Sequence, residues 1–210
     1  MILNKKSLTS RQIQAAETKE RIYKSAEYLF KKMEYDDVSI DDIVTHAKVS
    51  KGSFYVYYKS KDDLFIKVLS GSISGVDAEY KSFFETLPAE MPVGQAFLEV
   101  VGKIADVLAD SLGHDVMKKL YKAFLTDGIE TATVTEYSRG LYLLFSSIIK
   151  KGVERQEFRC ECSPEETARS FVAAYRGVTL EWCIRFPDYD LKKQAVQMFK
   201  IMIEGIKTGA

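Results

Sequence analysis

Apolar residues recur at helical spacing along almost the whole sequence, and this pattern constrains the fold more than any other feature. In the first long segment they fall at i, i+4, i+7, i+8 and i+11, on one face of a helix: Ile22, Ala26, Leu29, Phe30 and Met33. We find no segment with the apolar–polar alternation of a half-buried strand. The spacing therefore predicts an all-α protein with about nine helices.

Capping residues and breakers predict where several of these helices begin and end. Thr9 or Ser10 begins the first helix, and Ser39 with Asp42 resembles a capping box. Ser163 is followed by a proline and then an acid, which is a strong signal for a helix start. The helices predicted in the second part of the chain span about 92–112, 116–125, 131–155, 163–186 and 189–207.

The 210 residues are 46% hydrophobic and 29% charged, which suits one large domain or two small ones. An apolar run of 18 residues is absent, so a transmembrane helix is excluded. The first residues are charged without an apolar core behind them, and we expect a cytoplasmic protein without a secretory signal. Three cysteines are too few for a disulfide framework. We interpret the pair Cys160 and Cys162 as part of a solvated loop, and we expect no metal and no cofactor.

Charge is unevenly distributed, although the net charge of the chain is zero. Residues 34–47 hold five acids and no Lys or Arg, whereas residues 48–61 hold four Lys and no acid. A basic segment is what binding to nucleic-acid phosphates requires, because it releases counterions. Solvated helices also alternate in charge, so the charge pattern alone leaves both interpretations open.

Residues 39–61 form the most informative unit of the sequence. They predict a short amphipathic helix, a turn at 47–49 and a second short helix beginning at Ser50, which is a helix-turn-helix. The second helix opens with small and basic residues, which permit close approach to a base edge. Tyrosine hydroxyls and lysine ammonium groups further along it are suited to the DNA backbone.

A longer pattern surrounds this unit without a gap. Its members are Ile22, Ala26, Phe30, Tyr35, Val38, Ser39, Ile40, Asp41, Asp42, Ile43, Ala47, Val49, Ser50, Lys51, Gly52, Ser53, Phe54, Tyr55, Tyr58, Ser60, Lys61, Asp62, Asp63 and Leu64. This pattern resembles the DNA-binding domain of the TetR family of bacterial transcriptional regulators. The chain departs from it at Glu34 and Lys48, where glycine is common in the family, and at Tyr57, where histidine is common.

The resemblance implies a DNA-binding domain over residues 1–65, with the recognition helix at about 50–57, followed by a helical effector-binding and dimerisation domain over 66–210. Val49, Phe54 and Tyr58 are expected to pack the recognition helix on the first helix. The residues implied to contact DNA are Lys48, Ser50, Lys51, Gly52, Ser53, Tyr55, Tyr57 and Lys61.

For the second domain the resemblance implies a small effector, bound among the helices, that releases DNA. The apolar and aromatic residues there favour a hydrophobic small molecule, and our ligand-binding candidates are Phe97, Tyr121, Phe124, Tyr137, Tyr142, Phe145, Phe171 and Tyr175. His114 and Arg139 are the polar groups considered as anchors. The resemblance also implies a homodimer through the last two helices, with Tyr175, Gly177, Val178, Glu181, Phe199 and Met202 as contributors.

We therefore predict a ligand-responsive regulator, a repressor that binds a palindromic double-stranded DNA operator as a homodimer. The alternative is a helical ligand carrier or scaffold without sequence-specific DNA binding. The sequence shows no nucleophile–base pair, no metal-ligand spacing and no glycine-rich phosphate loop, so we do not expect an enzyme.

Overall fold

The computed structural model describes residues 9–125 and 135–209, and within them the chain is all-α, as the helical spacing predicted. The helices are α1 Ser10–Lys32, α2 Ile40–Ala47, α3 Lys51–Tyr57, α4 Lys61–Thr86, α5 Val93–Asp106, α6 His114–Phe124, α7 Gly140–Glu154, α8 Pro164–Arg185 and α9 Leu191–Ile206. A 3₁₀ turn lies at Tyr35–Asp37, and a π-helical segment at Val107–Leu112 follows α5. None of the described helices combines the length and the apolar character that crossing a bilayer requires.

The chain divides into two compact units, Met1–Ser70 and Gly71–Ala210. The division falls inside α4, slightly after the boundary at 65 that the sequence suggested. In the first unit, one apolar cluster joins α1, α2, α3 and the beginning of α4. Its buried members are Ile22, Ala26, Val38, Ile43, Val44, Ala47, Phe54, Tyr58, Leu64 and Val68.

The caps of the first unit are local and follow the sequence. Thr9 and Ser39 each accept a hydrogen bond from an amide in the first turn of their helix, and Gln12 and Asp42 complete the two capping boxes. Met33 lies outside the apolar face that was predicted to include it. It follows the last residue of α1 in an extended conformation, and its side chain is 43% exposed.

The second unit is built around an aromatic cluster whose central ring is Phe199 of α9. Four rings from α5, α7 and α8 have centroids between 5.4 and 5.8 Å from it: Phe97, Phe145, Phe171 and Tyr175. Edge-to-face contacts of this kind stabilise a core beyond the burial of apolar area alone. We call these five residues the aromatic cluster.

A buried ion pair joins α4 to the beginning of α7 within the second unit. Arg139 Nε and Nη2 each donate to an oxygen of Asp77 at 2.8 Å, and the amide of Leu141 donates to the same carboxylate at 3.2 Å. The Asp77 side chain is 5% exposed and that of Arg139 15%. A Cβ atom at Gly140 would lie 2.9 Å from Asp77 Cβ, so glycine permits the close approach.

This ion pair explains one error of the sequence prediction. The helix expected over 131–155 begins at Gly140 instead, and residues 136–139 form a turn, while 131–134 lie outside the described residues. The Asp77 carboxylate takes the place of a local N-cap by accepting the Leu141 amide, a contact that spacing along the sequence does not reveal. The start predicted at Ser163 is confirmed, with Glu166 completing a capping box.

The helix predicted over 92–112 is also interrupted. Its α-helical part ends at Asp106 and gives way to the π-helical segment. Gly113, with φ +81°, ends the helix at the predicted place because this backbone conformation is rarely open to other residues.

Candidate nucleic-acid interface

The unit α2–turn–α3 folds as a helix-turn-helix held by local caps. Ser39 Oγ accepts from the Asp42 amide at 3.1 Å, and Asp42 accepts from the Ser39 amide at 2.9 Å. Ser50 Oγ accepts from the Ser53 amide at 3.1 Å at the beginning of α3. Three short-range contacts therefore fix the two helix starts that orient the unit.

The inward face of α3 is apolar and buried. Phe54 is fully buried, Tyr58 is 2% exposed, and Val49 packs partly buried against the same core. Burial, with the nearby Tyr23 and Asp63, raises the pKa of Tyr58 to about 12, so its hydroxyl stays neutral. These three residues hold α3 against α1, as expected.

The turn between α2 and α3 depends on a residue that the sequence analysis missed. Lys48 has φ 54° and ψ 49°, the left-handed conformation in which glycine is common. Arg21 of α1 donates from Nε to the Ala47 carbonyl at 3.1 Å and from Nη2 to the Lys48 carbonyl at 2.6 Å. The guanidinium thus satisfies carbonyl groups at the end of α2 and supports a turn without glycine.

The outward face of α3 is polar and open to solvent. Lys51 and Gly52 are exposed, Tyr55 is 54% exposed and Val56 is 74% exposed, whereas Tyr57 is half-buried. Ser53, Val56 and Tyr57 also line an open groove together with residues of α1: Arg11, Gln14, Ala15 and Thr18. The first turns of α1 therefore extend the surface that α3 presents, which the sequence analysis did not predict.

Two of the predicted DNA-contacting lysines have partners within the chain. Lys51 Nζ lies 2.9 Å from the Asp41 carboxylate, and this exposed hydrogen bond raises the pKa of Lys51. Lys61 Nζ donates to the carbonyls of Tyr35 and Val38, both at 2.8 Å, and lies 4.1 Å from the centroid of the Tyr35 ring. Lys61 therefore fastens the beginning of α4 to the 3₁₀ turn.

Comparison with known proteins supports this geometry. Residues 22–68 match the family model described as bacterial regulatory proteins, tetR family. The regulator AcrR of Shigella flexneri is 23% identical over 202 residues, covering 91% of this chain and 90% of that protein. The A-factor receptor protein of Streptomyces griseus is 22% identical over 197 residues, covering 94% of this chain and 66% of that protein.

The fold is shared with solved structures. FadR of Thermus thermophilus, a TetR family transcriptional repressor crystallised with lauroyl-CoA, superposes with a TM-score of 0.69. The two sequences are 20% identical, and the match covers 89% of this chain and 93% of that one.

The chain belongs to the TetR family.

As a TetR-family protein it is a DNA-binding transcriptional regulator, and α2–turn–α3 is its helix-turn-helix. The eight predicted DNA-contacting residues lie on or beside this unit: Lys48 in the turn, Ser50 at its end, Lys51, Gly52, Ser53, Tyr55 and Tyr57 on α3, and Lys61 at the beginning of α4. Their contacts with DNA remain a prediction.

The eight ligand candidates of this TetR-family chain occupy different environments in the second unit. Four of them belong to the aromatic cluster and Tyr142 is buried, whereas Tyr121 and Phe124 are half-buried. Tyr137 is 57% exposed, and the Arg169 guanidinium lies 4.1 Å from its ring centroid. Of the two anchors considered, Arg139 is bound to Asp77, and His114 Nε2 lies 3.1 Å from the Cys183 carbonyl oxygen.

The last two helices bury some of the residues expected at a dimer interface and expose others. Tyr175, Val178 and Phe199 are buried within their own unit, so their side chains face inward. Gly177 is exposed and Met202 half-buried. The large apolar side chains that α8, its C-cap and α9 expose are Leu180, Ile184, Phe186, Met198 and Ile201.

Cys162 is exposed, and the described residues contain no group of three side chains able to hold a metal ion.

Lys48→Gly should raise the free energy of unfolding by about 1 kcal/mol, because glycine adopts the left-handed conformation without the Cβ penalty. Lys48→Ala removes the same charge but keeps the Cβ atom, so it is the matched control and should bring no gain. Urea denaturation of the two variants and the wild type measures the difference. Equal stability of the Gly and Ala variants would contradict a strained turn.

Proposed function

We propose that this regulator is a repressor that binds a palindromic operator as a homodimer and leaves it when a hydrophobic small molecule binds the second unit. The proposal that α3 binds DNA rests on the contrast between the two faces of this helix. Phe54 and Tyr58 are buried and fix the helix, while Lys51, Gly52 and Tyr55 are exposed on the other side. A rigid helix with a basic, polar and small-residue face is suited to the major groove.

The proposed roles of the DNA-contacting residues follow from their positions. Lys51, Gly52 and Ser53 lie at the beginning of α3, the end of a recognition helix that contacts base edges. Tyr55 and Tyr57 carry hydroxyls that suit phosphate oxygens, and Lys48 and Lys61 flank the helix with positive charge. Arg11, Gln14 and Thr18 of α1 border the same groove and are proposed as additional backbone contacts.

The dimer is supported by the apolar surface of α8 and α9. Ile184 is 67% exposed and Ile201 is 65% exposed, and Leu180, Phe186 and Met198 are exposed on the same part of the chain. Several large apolar side chains exposed together are typical of a protein–protein interface. A two-fold palindrome needs two recognition helices related by the same symmetry. Pairing through α8 and α9 would bury these side chains and supply that symmetry.

The effector class is supported by the apolar core of the second unit, which contains the aromatic cluster. FadR of Thermus thermophilus, similar in fold, was crystallised with lauroyl-CoA, and FadR of Bacillus subtilis with stearoyl-CoA. We therefore choose lauroyl-CoA as the first probe. If lauroyl-CoA binds the protein more tightly in the absence of DNA, it must lower the affinity for DNA. The factor is the same as that by which DNA lowers the affinity for lauroyl-CoA.

The test is selection of an operator from random duplexes, followed by titration of wild type and Lys51→Ala. If Lys51 reads a base, the variant should lose roughly 1–3 kcal/mol of operator binding and accept more sequences at one position. Lys150→Ala in α7 removes another exposed, ion-paired lysine, from the second unit, and this variant should bind the operator as wild type does. A helical carrier would select no sequence at all, and that result would replace our proposal with the alternative.

Asp41→Asn should raise DNA affinity by up to roughly fivefold. The Asp41 carboxylate holds Lys51 Nζ at 2.9 Å, and an exposed pair of this kind is easily broken. The neutral asparagine side chain no longer pairs with Lys51, and the substitution removes a negative charge beside the DNA-binding face. Anisotropy titration of the selected operator measures the gain, and in the background of Lys51→Ala most of that gain should vanish.

A further inference from the structure

The hydroxyl of Tyr175 is unusual among the polar groups of the second unit. Tyr175 lies on α8 and is 3% exposed. Among the described residues, its hydroxyl is the one fully buried side-chain oxygen or nitrogen without a hydrogen-bond partner. Native cores rarely leave such a group unpaired, because it loses its hydrogen bonds to water and gains nothing. The Tyr175 hydroxyl therefore has no partner among the described protein atoms and can donate to a molecule bound beside it.

The surroundings of this hydroxyl are apolar and aromatic. The Tyr175 ring meets the Phe199 ring edge-on at 5.8 Å, inside the aromatic cluster. Tyr121 of α6 lies close enough to influence the titration of Tyr175, but its own hydroxyl already donates to the Arg176 carbonyl at 2.8 Å. The helices thus bring together large apolar rings and one hydroxyl that is still able to donate, the composition of a small-molecule site.

The electrostatic environment of the Tyr175 hydroxyl limits which ligand groups can bind to it. Burial raises the pKa of Tyr175 well above its usual value, and Tyr80, Tyr121 and Asp106 raise it further. The hydroxyl therefore stays protonated and acts as a donor. The same burial and the same carboxylate disfavour an anionic partner, and the Arg139 guanidinium is already bound to Asp77. A neutral acceptor fits these conditions better than a carboxylate does.

We propose that the Tyr175 hydroxyl donates a hydrogen bond to a neutral carbonyl oxygen of the effector, such as that of an ester, thioester or ketone, while the aromatic cluster contacts its apolar part. This inference rests on the proposed function, since it assumes an effector site in the second unit. It adds the recognition group and the class of ligand: apolar molecules with an uncharged carbonyl.

The first experiment needs no ligand. Tyr175→Phe deletes only the unpaired hydroxyl, so the melting temperature of the free protein should stay the same or rise. Tyr121→Phe deletes a hydroxyl that has a partner and should lower the melting temperature by about 2–4 °C if that bond is worth about 1 kcal/mol. A drop for Tyr175→Phe as large as that for Tyr121→Phe would overturn the proposal, because the hydroxyl would then already be paired.

The second experiment compares lauroyl-CoA with S-dodecyl-CoA, a thioether that has the same chain and head group but no carbonyl. Wild type should prefer lauroyl-CoA by roughly fivefold or more, the size of one hydrogen bond. In Tyr175→Phe this preference should disappear, because the variant binds lauroyl-CoA more weakly than wild type does. Its affinity for S-dodecyl-CoA should not change. Isothermal titration calorimetry of the full chain measures both ligands.

The outcomes separate this inference from the proposed function. An equal preference in wild type and Tyr175→Phe overturns the role of the hydroxyl, even if both ligands still release the operator. If wild type binds neither compound, the assigned class of carbonyl ligands is wrong, while operator binding is unaffected by that result. If lauroyl-CoA binds with the predicted preference but leaves operator affinity unchanged, the hydroxyl assignment stands and the proposed release mechanism fails.

Discussion

A variant with Ile184→Glu and Ile201→Glu should sediment as a monomer of 23.8 kDa and bind the operator at least about a hundredfold more weakly than wild type. Both side chains are large, apolar and about two-thirds exposed on the two helices that we propose to pair. Burying an unpaired carboxylate at each position would cost several kcal/mol, which a dimer interface does not tolerate. A monomer carries a single recognition helix and loses the second half-site.

The matched control is Leu143→Glu on α7, which changes an equally exposed apolar residue outside the last two helices. This variant should remain a dimer with wild-type operator affinity. Sedimentation equilibrium and anisotropy titration measure the two properties on the same samples. A double glutamate variant that stays dimeric, or a wild type that is itself monomeric, would remove the basis for pairing through α8 and α9.

Arg139→Met should lower the free energy of unfolding by about 3–5 kcal/mol. The substitution leaves the Asp77 carboxylate buried, with the Leu141 amide at 3.2 Å but without its counter-ion. The beginning of α7 and the second half of α4 lose the two hydrogen bonds between Arg139 and Asp77. Urea denaturation of the full chain measures the change.

Two further variants show whether the loss comes from the unpaired charge. Arg139→Met combined with Asp77→Asn removes the charge as well and should recover part of the stability, because replacing both partners costs less than leaving one. Arg185→Met breaks an exposed ion pair with Glu181 and should leave the stability nearly unchanged. Equal losses for Arg139→Met and Arg185→Met would contradict a buried, structural ion pair.

The sequence predicted those parts of the fold that depend on neighbouring residues. The helix starts after Thr9, Ser39 and Ser163 were visible because each cap bonds within three residues of itself. The burial of Ile22 and Phe54 followed from helical spacing and from the resemblance to a known DNA-binding domain. In the same way, the all-α class follows from periodicity along the whole chain.

The contacts that the sequence did not predict join residues far apart in the chain. Arg21 donates to the carbonyls of Ala47 and Lys48, which follow it by 26 and 27 positions. Asp77 binds Arg139, which is 62 positions further along the chain. Lys51 and Asp41 pair only because the turn folds α3 back toward α2. Propensity and capping give no information about such pairs, since their geometry depends on how the helices pack.

In the candidate site, too, the sequence predicted the contiguous residues but not those that come together from distant parts of the chain. The residues of α3 were predicted because the helix-turn-helix pattern is continuous in sequence. The contribution of Arg11 and Gln14 to the groove depends on where the first turns of α1 lie beside α3. The unpaired Tyr175 hydroxyl was equally invisible, because the sequence marks the residue as aromatic but does not show which polar atoms its neighbours leave without a partner.

The central claim is that this chain binds DNA through a basic face, and the most direct test is the affinity of the full chain for its selected operator as a function of salt. With about six phosphate contacts in the dimer, the logarithm of the association constant should fall against the logarithm of salt with a slope of about −5 between roughly 50 and 200 mM. An affinity that does not change with salt, or that is equally weak for every duplex, would contradict the account.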